Sequence, residues 1–492
     1  MTNIKIYSVI TRKIIFMFVL FFGFLHFQLF CQVIDWEQTF GGEGIDIGLC
    51  VQPAIDGGYI TCGWTTSFEE DNIDIYLIKT DDQGNEIWSK TIGGSGSESA
   101  RTIHQTADSC YIMIGSTTSF GSGAFDVYLI KLDVNGNEIW TQCYGGIAHD
   151  RGYCGQQTSD GGYIIVGHTE SFGSGYWDIY LIKTDENGNE IWSNTFGGSD
   201  AEYGYFVRQT NDGGFIITGY TTSFGAGSKD VYLIKTDHLG NETWSKTFGG
   251  IYGDLGSSVL QTSDGGYIIA GYMAPYVASY FFLLKTDENG NEIWSHTFGG
   301  NCCWSVNQTS DGGYILCGQR GSYNMDIFVV KTDEDGNEIW SQAYGGSGYD
   351  AGCYIFETSD AGYILSGTYD FDLYLLKLLP ENVSIEDTEL IGGSASLFLK
   401  PAYPNPFNPA TTISFFTAEN AESAEIIIYN IKGQLVKTLT PMTNDQSASW
   451  RMTNVVWDGK DENGWQLSNG IYFYCLKIGN RIIDTKKCVI LR

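Results

Sequence analysis

A nine-residue phrase close to Thr-Asp-Glu-Asn-Gly-Asn-Glu-Ile-Trp recurs along this chain, ending at Trp88, Trp140, Trp192, Trp244, Trp294 and Trp340. The first four tryptophans stand 52 residues apart, and the next two follow at 50 and 46. A second landmark, Asp-Gly-Gly-Tyr-Ile, begins at Asp56, Asp160, Asp264 and Asp311, with variants at Asp108, Asp212 and Asp360. The unit therefore occurs seven times. Self-similarity at this period restricts the fold to a solenoid or a propeller, because one such unit cannot bury its own apolar faces.

Within one copy the sequence shows four extended runs, residues 205–209, 214–220, 231–236 and 242–248, rich in Val, Ile, Tyr and Trp. Asn-Asp-Gly, Ser-Phe-Gly-Ala-Gly and His-Leu-Gly-Asn separate them, and each can reverse an extended chain. Four strands per repeat of this length make a propeller blade. A solenoid would need capping ends, and none is visible. Instead the ends are complementary: Gln32-Val-Ile-Asp-Trp-Glu-Gln-Thr-Phe-Gly-Gly42 matches only a fourth strand, whereas the last copy stops after its third. The expected fold is all-β, a seven-bladed β-propeller over residues 33–380 closed by the N-terminal strand. Such a clasp joins the termini and covers a strand edge that would otherwise template aggregation.

Upstream, Lys5, Arg12 and Lys13 precede an apolar run over residues 14–30, the order of a removable export signal, so residues 1–32 read as a signal peptide. Cys31 raises a lipoprotein reading, but Leu29-Phe30 places a bulky ring where that processing needs a small residue. No second apolar stretch is long enough to span a bilayer, so no integral membrane segment is expected after signal removal. Of twelve cysteines eleven would remain, an odd number. Cys62 and Cys317 occupy the repeat position held elsewhere by Val166 and Ala270, which marks them as small buried apolar residues. A net charge of −31 repels phosphate backbones and anionic lipid, and excludes nucleic acid as a partner class.

Motifs that resemble chemistry resolve into structure. Asp185-Glu-Asn-Gly-Asn-Glu190 has acidic and amide oxygens, but a calcium loop needs twelve residues with Gly sixth, and an Asn-Gly hairpin explains the same residues. Asp74, Asp126, Asp178, Asp230, Asp326 and Asp372 precede the third strand of their copies, Tyr280 being the exception. Six such carboxylates could ring a pore around a cation, yet the favoured role is acceptance of turn N–H groups. The repeated Trp reads as packing. His104, His149, His168, His238 and His296 are scattered, with no zinc pairing and no nucleophile elbow. No metal, cofactor or catalytic residue is assigned.

The copies also serve as controls for one another. Links between first and second strands, and between third and fourth, scarcely change. The other two sets differ from copy to copy, and in an up-and-down blade both emerge on the same face. Candidate ligand-binding residues there are Tyr176, Trp177, Tyr203, Tyr252, Tyr276, Trp304, Tyr323 and Tyr349, interleaved with Asp150, Asp200, Glu202, Asp254 and Asp350. Aromatic plates beside carboxylates suit sugar rings, whose C–H faces stack while their hydroxyls donate hydrogen bonds. A protein ligand fits the same surface, as does drift in unconstrained loops.

After Pro380 the repeat stops. Residues 381–400 read as a polar linker, and residues 401–492 as a small antiparallel sandwich. Tyr403-Pro-Asn-Pro-Phe-Asn-Pro409, Ile428-Tyr-Asn-Ile-Lys-Gly-Gln434, Trp457-Asp-Gly-Lys-Asp-Glu-Asn-Gly464, Ser468-Asn-Gly-Ile-Tyr472 and Lys486-Lys-Cys-Val-Ile-Leu-Arg492 carry a resemblance. Together they resemble the type A C-terminal sorting domains of the type IX secretion system of Bacteroidetes-like bacteria, which overlap with the Ig-like fold of flagellar hook-capping proteins. Cys488 departs from the apolar residue usual at its position. The resemblance implies passage across the outer membrane by the secretion machinery acting on residues 401–492, followed by release or surface attachment. It also implies an extracellular or outer-membrane location. The repeats are similar to those of uncharacterised bacterial secreted proteins, which implies no activity.

The functional expectation is a secreted or cell-surface binding propeller with an extracellular glycan or protein ligand, carbohydrate being the first choice. The alternative is a carbohydrate-active or peptide-cleaving enzyme on the same scaffold. Fold cannot choose between them. A pair of accessible carboxylates on the individual face would favour hydrolysis.

Overall fold

The computed structural model describes residues 32–68, 72–274, 279–321, 324–346, 348–380, 407, 410–418, 424–430, 435–440, 450–462, 464–478 and 481–491. The segment expected to be a signal peptide, through Cys31, the expected linker, Tyr276 and Tyr323 lie outside them. The chain divides between Asn382 and Val383 into two compact units.

The first unit is all-β and repetitive, with seven four-stranded antiparallel sheets in sequence order. In the third sheet the strands are Asp150–Gln157, Tyr163–Thr169, Asp178–Thr184 and Glu190–Phe196, each hydrogen-bonded to the next. Apolar side chains on the second and third strands are buried on both faces, as a sheet packed between two others requires. In the seventh sheet, Asp350–Glu357, Tyr363–Tyr369 and Asp372–Leu378 are completed by Ile34–Phe40, which pairs antiparallel with Asp372–Leu378. The register sets Gln38 opposite Leu375 and Trp36 opposite Lys377.

One contact recurs between neighbouring sheets. The fourth-strand tryptophan meets an aromatic residue that opens the second strand of the next sheet, with ring centroids 6.0 Å apart for Trp140 and Tyr163 and for Trp192 and Phe215. The same indole covers the Gly of the next sheet's Asn-Gly turn, so a Cβ on Gly188 would lie 2.8 Å from Trp140. Gly188 has φ +79°, which a glycine adopts without strain. Trp36 repeats this contact from the seventh sheet to the first, 5.8 Å from Tyr59 and against Gly84. A backbone bond from Asp46 N–H to the Phe371 carbonyl, 2.7 Å, links the same two sheets.

A second repeated element was not foreseen from the sequence. The lysine near the end of each third strand is almost wholly buried and meets the Asp of the Asp-Gly-Gly turn, as in Lys79–Asp56 at 2.9 Å, Lys235–Asp212 at 2.8 Å and Lys377–Asp360 at 3.0 Å. All seven sheets contain the pair. The Lys235 ammonium also donates to the Thr236 carbonyl, so the buried charge is satisfied on several sides. The eleven cysteines after Cys31 are unpaired thiols, and Cys62 and Cys317 are buried in the apolar packing.

The second unit is an Ig-like domain. Thr411–Ala418 pairs with Trp450–Trp457, and a separate sheet runs Leu435–Leu439, Ala424–Asn430, Gly470–Ile478, Arg481–Ile490. Its core gathers on Trp457, which is fully buried, 5.3 Å from Phe407 and 5.5 Å from Tyr472. Phe407 exchanges backbone hydrogen bonds with Val489 and Leu491, so the Pro-rich entry segment is tied to the C-terminal strand.

Two outcomes follow for stability. Burial opposes ionisation of Asp108 and Asp212, but hydrogen bonds from Lys131 and Lys235 and from Thr106 and Thr210 outweigh it and hold both carboxyls down to about 2. The Lys285 and Thr262 bonds do the same for Asp264. Groups depressed in the folded state stabilise above the ordinary carboxylate range, and that stability is lost as pH falls toward about 2. The melting temperature is therefore expected to fall between about pH 4 and pH 2, with a shallower slope in Lys235→Met; an unchanged slope would remove the ion pairs from the account. Gly145→Ala tests the sheet junction, because its Cβ would lie 2.3 Å from Asp126 Oδ1 and 2.7 Å from Asp150 Oδ2. Chemical denaturation should show a loss of about 1–3 kcal/mol.

Candidate ligand-binding site

The two sets of links differ in what their polar groups do. At the uniform turns, the Asp185 carboxylate accepts N–H bonds from Asn187 at 2.9 Å and Asn189 at 2.8 Å, and the Asn189 side-chain amide at 2.8 Å. These turns are self-contained hairpin ends.

On the individual face the recurring carboxylates hold the loops together. Asp178 accepts N–H bonds from Ser174 at 2.8 Å and Gly175 at 2.9 Å, the role favoured for the third-strand Asp. In six of the seven sheets an acid at the start of the first strand does the same for the preceding Gly-Gly link, the sixth opening on Cys302 instead. Asp150 accepts from Gly146 N–H at 2.7 Å, from the Ser171 hydroxyl at 2.6 Å and from the Thr169 hydroxyl. Glu202 accepts from Gly198 N–H at 2.7 Å, the Thr221 hydroxyl at 2.6 Å and Ser223 N–H at 3.0 Å. Asp150, Glu202, Asp254 and Asp350 are buried, which corrects their reading as carboxylates presented to a ligand. Of the five named from sequence only Asp200 is exposed. Confinement raises some of these groups: burial first, then the facing Asp150 carboxylate, pushes Asp126 up, and burial followed by Asp230 does so for Asp254.

The aromatic candidates separate into those that converge and those that do not. Tyr176 lies 4.6 Å from Trp177, Trp177 lies 5.0 Å from Tyr203, and Tyr203 stands 4.3 Å from His168. Trp177 Nε1 donates to Glu170. Tyr203 continues into Tyr220 at 4.9 Å and Tyr205 at 6.0 Å, and Tyr205 into Tyr153 at 5.2 Å. The result is a row of rings across the third and fourth sheets. Tyr349 stacks instead on Phe371 at 6.3 Å and donates to Gln319 at 3.2 Å. Trp304 is half-buried on the first strand of the sixth sheet, and Tyr252 is half-buried in the link that leads into the fifth.

Sequence reasoning missed Tyr153, Tyr205 and Tyr220, together with the cations beside them. The guanidinium of Arg101 lies 5.3 Å from the Tyr153 ring centroid, that of Arg151 3.8 Å from Phe125, and the Lys229 ammonium 4.2 Å from Tyr220. The signal was present in the strands rather than the links. Asp150-Arg-Gly-Tyr153 and Glu202-Tyr-Gly-Tyr205 alternate, and period two puts the acid and glycine into the sheet junction while the intervening residues stay half-buried. A Cβ on Gly204 would lie 2.5 Å from Val166, so only glycine lets this strand press on the preceding sheet.

Electrostatically the cluster is a cationic, protonated environment. Burial pushes His168 down to about 3, and Arg151, His149 and Arg101 lower it further, so the imidazole is neutral. Burial pushes the phenols of Tyr203, Tyr205 and Tyr220 up, which keeps them as hydrogen-bond donors. Rings, phenolic O–H groups and cations can stack on, donate to and attract a ligand.

Residues 406–477 match the family described as the FlgD Ig-like domain. No curated protein matches the chain. Among solved structures the chain is similar to PorZ, described as an essential surface component of the type IX secretion system of Porphyromonas gingivalis. The identity is 11% and the TM-score 0.36, covering 87% of this chain and 65% of that one. It thus spans less than two thirds of that structure's length. It is also similar to the Neurospora crassa Pan2 WD40 domain, at 12% identity, TM-score 0.43, 68% of this chain and 89% of that one. Sqt1 from Chaetomium thermophilum gives 12%, TM-score 0.42, 68% and 83%. At this distance no activity passes from these structures to this protein.

Proposed function

We propose that the protein is a β-propeller binding protein of the cell surface or extracellular space, exported on its C-terminal Ig-like domain, with a carbohydrate ligand on the individual face of the ring. The seven sheets form a closed ring in this reading, and the repetition of the Trp-to-turn contact by Trp36 supports it. Residues 401–492 act as the sorting domain that engages the secretion machinery. The sequence motifs of that domain and its match to a hook-capping Ig-like family support this assignment.

One observation carries the binding reading: Tyr176, Trp177 and Tyr203, chosen for differing between copies, converge with Tyr153, Tyr205 and Tyr220 into one row of rings. Binding is preferred over hydrolysis because the first-strand carboxylates beside that row are buried and saturated with loop donors. A buried, fully accepting carboxylate can neither attack a sugar carbon nor pass a proton to a leaving oxygen.

A glycan array probed with the full secreted protein is expected to retain carbohydrate, and Trp177→Ala or Tyr203→Ala to weaken retention by about tenfold or more. Retention of a protein in a pull-down without any glycan signal would replace the ligand class. Removal of residues 401–492 is expected to leave the protein inside the cell envelope. Unchanged appearance at the surface or in the medium would sink the sorting role.

A further inference from the structure

Between residues 33 and 380 the sequence has ten lysines and four arginines. Seven lysines are consumed by the ion pairs at the Asp-Gly-Gly turns. Lys90 and Lys246 lie on fourth strands and donate to Asn137 and Asn291. The other five are Arg101, Arg151 and Arg208 on three successive first strands, Lys229 just before a third strand, and Arg320 at the end of a second. Among the described residues none of these five forms a salt bridge. In a chain of net charge −31, where carboxylates outnumber cations about two to one, such segregation needs a cause.

Three of these cations border the ring row already described. Arg101 and Lys229 lie over the faces of Tyr153 and Tyr220, and Arg151 over Phe125. A cation on an aromatic face is held in place without being neutralised, so its field remains available to an incoming anion. Arg208 is different, since its guanidinium donates to Gln156 at 3.1 Å and to the Tyr354 hydroxyl at 3.4 Å, tying first strands of separate sheets together.

We infer that the rings of Trp177, Tyr203, Tyr205 and Tyr153, backed by the buried Tyr220 and with Arg101, Arg151 and Lys229 at their border, bind an acidic oligosaccharide whose rings carry carboxylate or sulfate groups. The inference rests on the carbohydrate reading above and narrows it. Tyr220 is buried behind Tyr203 and Lys229, so the half-buried rings of Trp177, Tyr203, Tyr205 and Tyr153 are the ones that suit pyranose faces, and cations at separate points along the row suit a charge that recurs along a chain. The protein's overall negative charge does not prevent this. At physiological salt the field of remote carboxylates is screened beyond about 8 Å, whereas Arg101 and Lys229 lie over rings of the row, Arg151 stands opposite His168, which packs on Tyr203, and the nearby Glu170 carboxylate is held at the Trp177 end.

The test uses the full secreted protein against oligosaccharides derived from pectate, alginate and chondroitin sulfate, each paired with a neutral counterpart, methyl-esterified and, for chondroitin sulfate, also desulfated, and an oligoglutamate peptide. Acidic forms are expected to bind at least about tenfold more tightly than their neutral counterparts. Raising salt from about 0.05 M to about 0.5 M should erase most of that preference. Arg101→Gln, Arg151→Gln and Lys229→Gln should each reduce it several-fold, whereas Arg151→Lys preserves it and Lys90→Gln, a charge removed elsewhere, leaves it unchanged. A thermal melt identifies any variant that fails to fold. Equal binding of acidic and neutral forms overturns this inference while the carbohydrate reading stands. Binding of oligoglutamate alone, or of nothing in the set, overturns both.

Discussion

The junction between consecutive sheets is the constraint on which the rest depends. A four-stranded sheet from this repeat has two apolar faces, and a single copy can cover neither. Most junctions solve the problem twice. Near the uniform turns the fourth-strand tryptophan lies on the next sheet's Asn-Gly turn and on the aromatic residue that opens its second strand, as Trp140 does with Gly188 and Tyr163. Near the individual links, paired acids such as Asp126 and Asp150 close on the first glycine of the Gly-Gly, where no Cβ fits. Hydrophobic burial supplies the attraction, and the hydrogen-bonded acids set which loop lies against which strand.

Because these contacts recur at most junctions, the first and last sheets face the same requirement as the others. The N-terminal strand meets it. Residues 34–40 carry Trp36 into the seventh sheet as its fourth strand, and that tryptophan reaches Tyr59 and Gly84 of the first. The two ends of the unit are joined through an antiparallel pair, so fraying of either terminus would cost a complete junction rather than one strand edge.

Much of the repeat was legible in the sequence because it is written seven times. Strand number, turn chemistry, the place of the leading strand and the burial of Cys62 and Cys317 were all readable from period and position. The seven Lys–Asp pairs were equally repeated, yet Lys79 and Asp56 are 23 residues apart and meet only through antiparallel pairing, which local pattern does not display. The rim carboxylates were misread for a related reason. Asp150 and Glu202 stand beside variable links in sequence, but strand alternation turns them inward to serve the loop backbone. Of the aromatic residues chosen from the links, Tyr176, Trp177 and Tyr203 meet, because the links of the third and fourth sheets are joined by a parallel bridge between Trp177 and Ala201, while Tyr349 stacks on Phe371 of its own sheet.

The first strand shows how one segment separates stability from variability. Two residues past its opening acid, or past Asn301 in the sixth sheet, the copies hold Gly48, Ala100, Gly152, Gly204, Gly256, Cys303 and Gly352, all small, because the preceding sheet leaves little space there. One residue further they hold Leu49, Arg101, Tyr153, Ser257, Trp304 and Cys353, with Tyr205 the sole repetition of a type. Adjacent positions on a strand point to opposite faces, so the first is dictated by the junction and the second is released from it. At an exposed example such as Arg101 a substitution changes what that strand offers, whereas Ser257 is buried and donates to the Cys303 carbonyl of the next sheet. Individuality therefore collects along the first strands, where Arg101, Tyr153 and Tyr205 lie, and the uniform junctions are what make that freedom structurally tolerable.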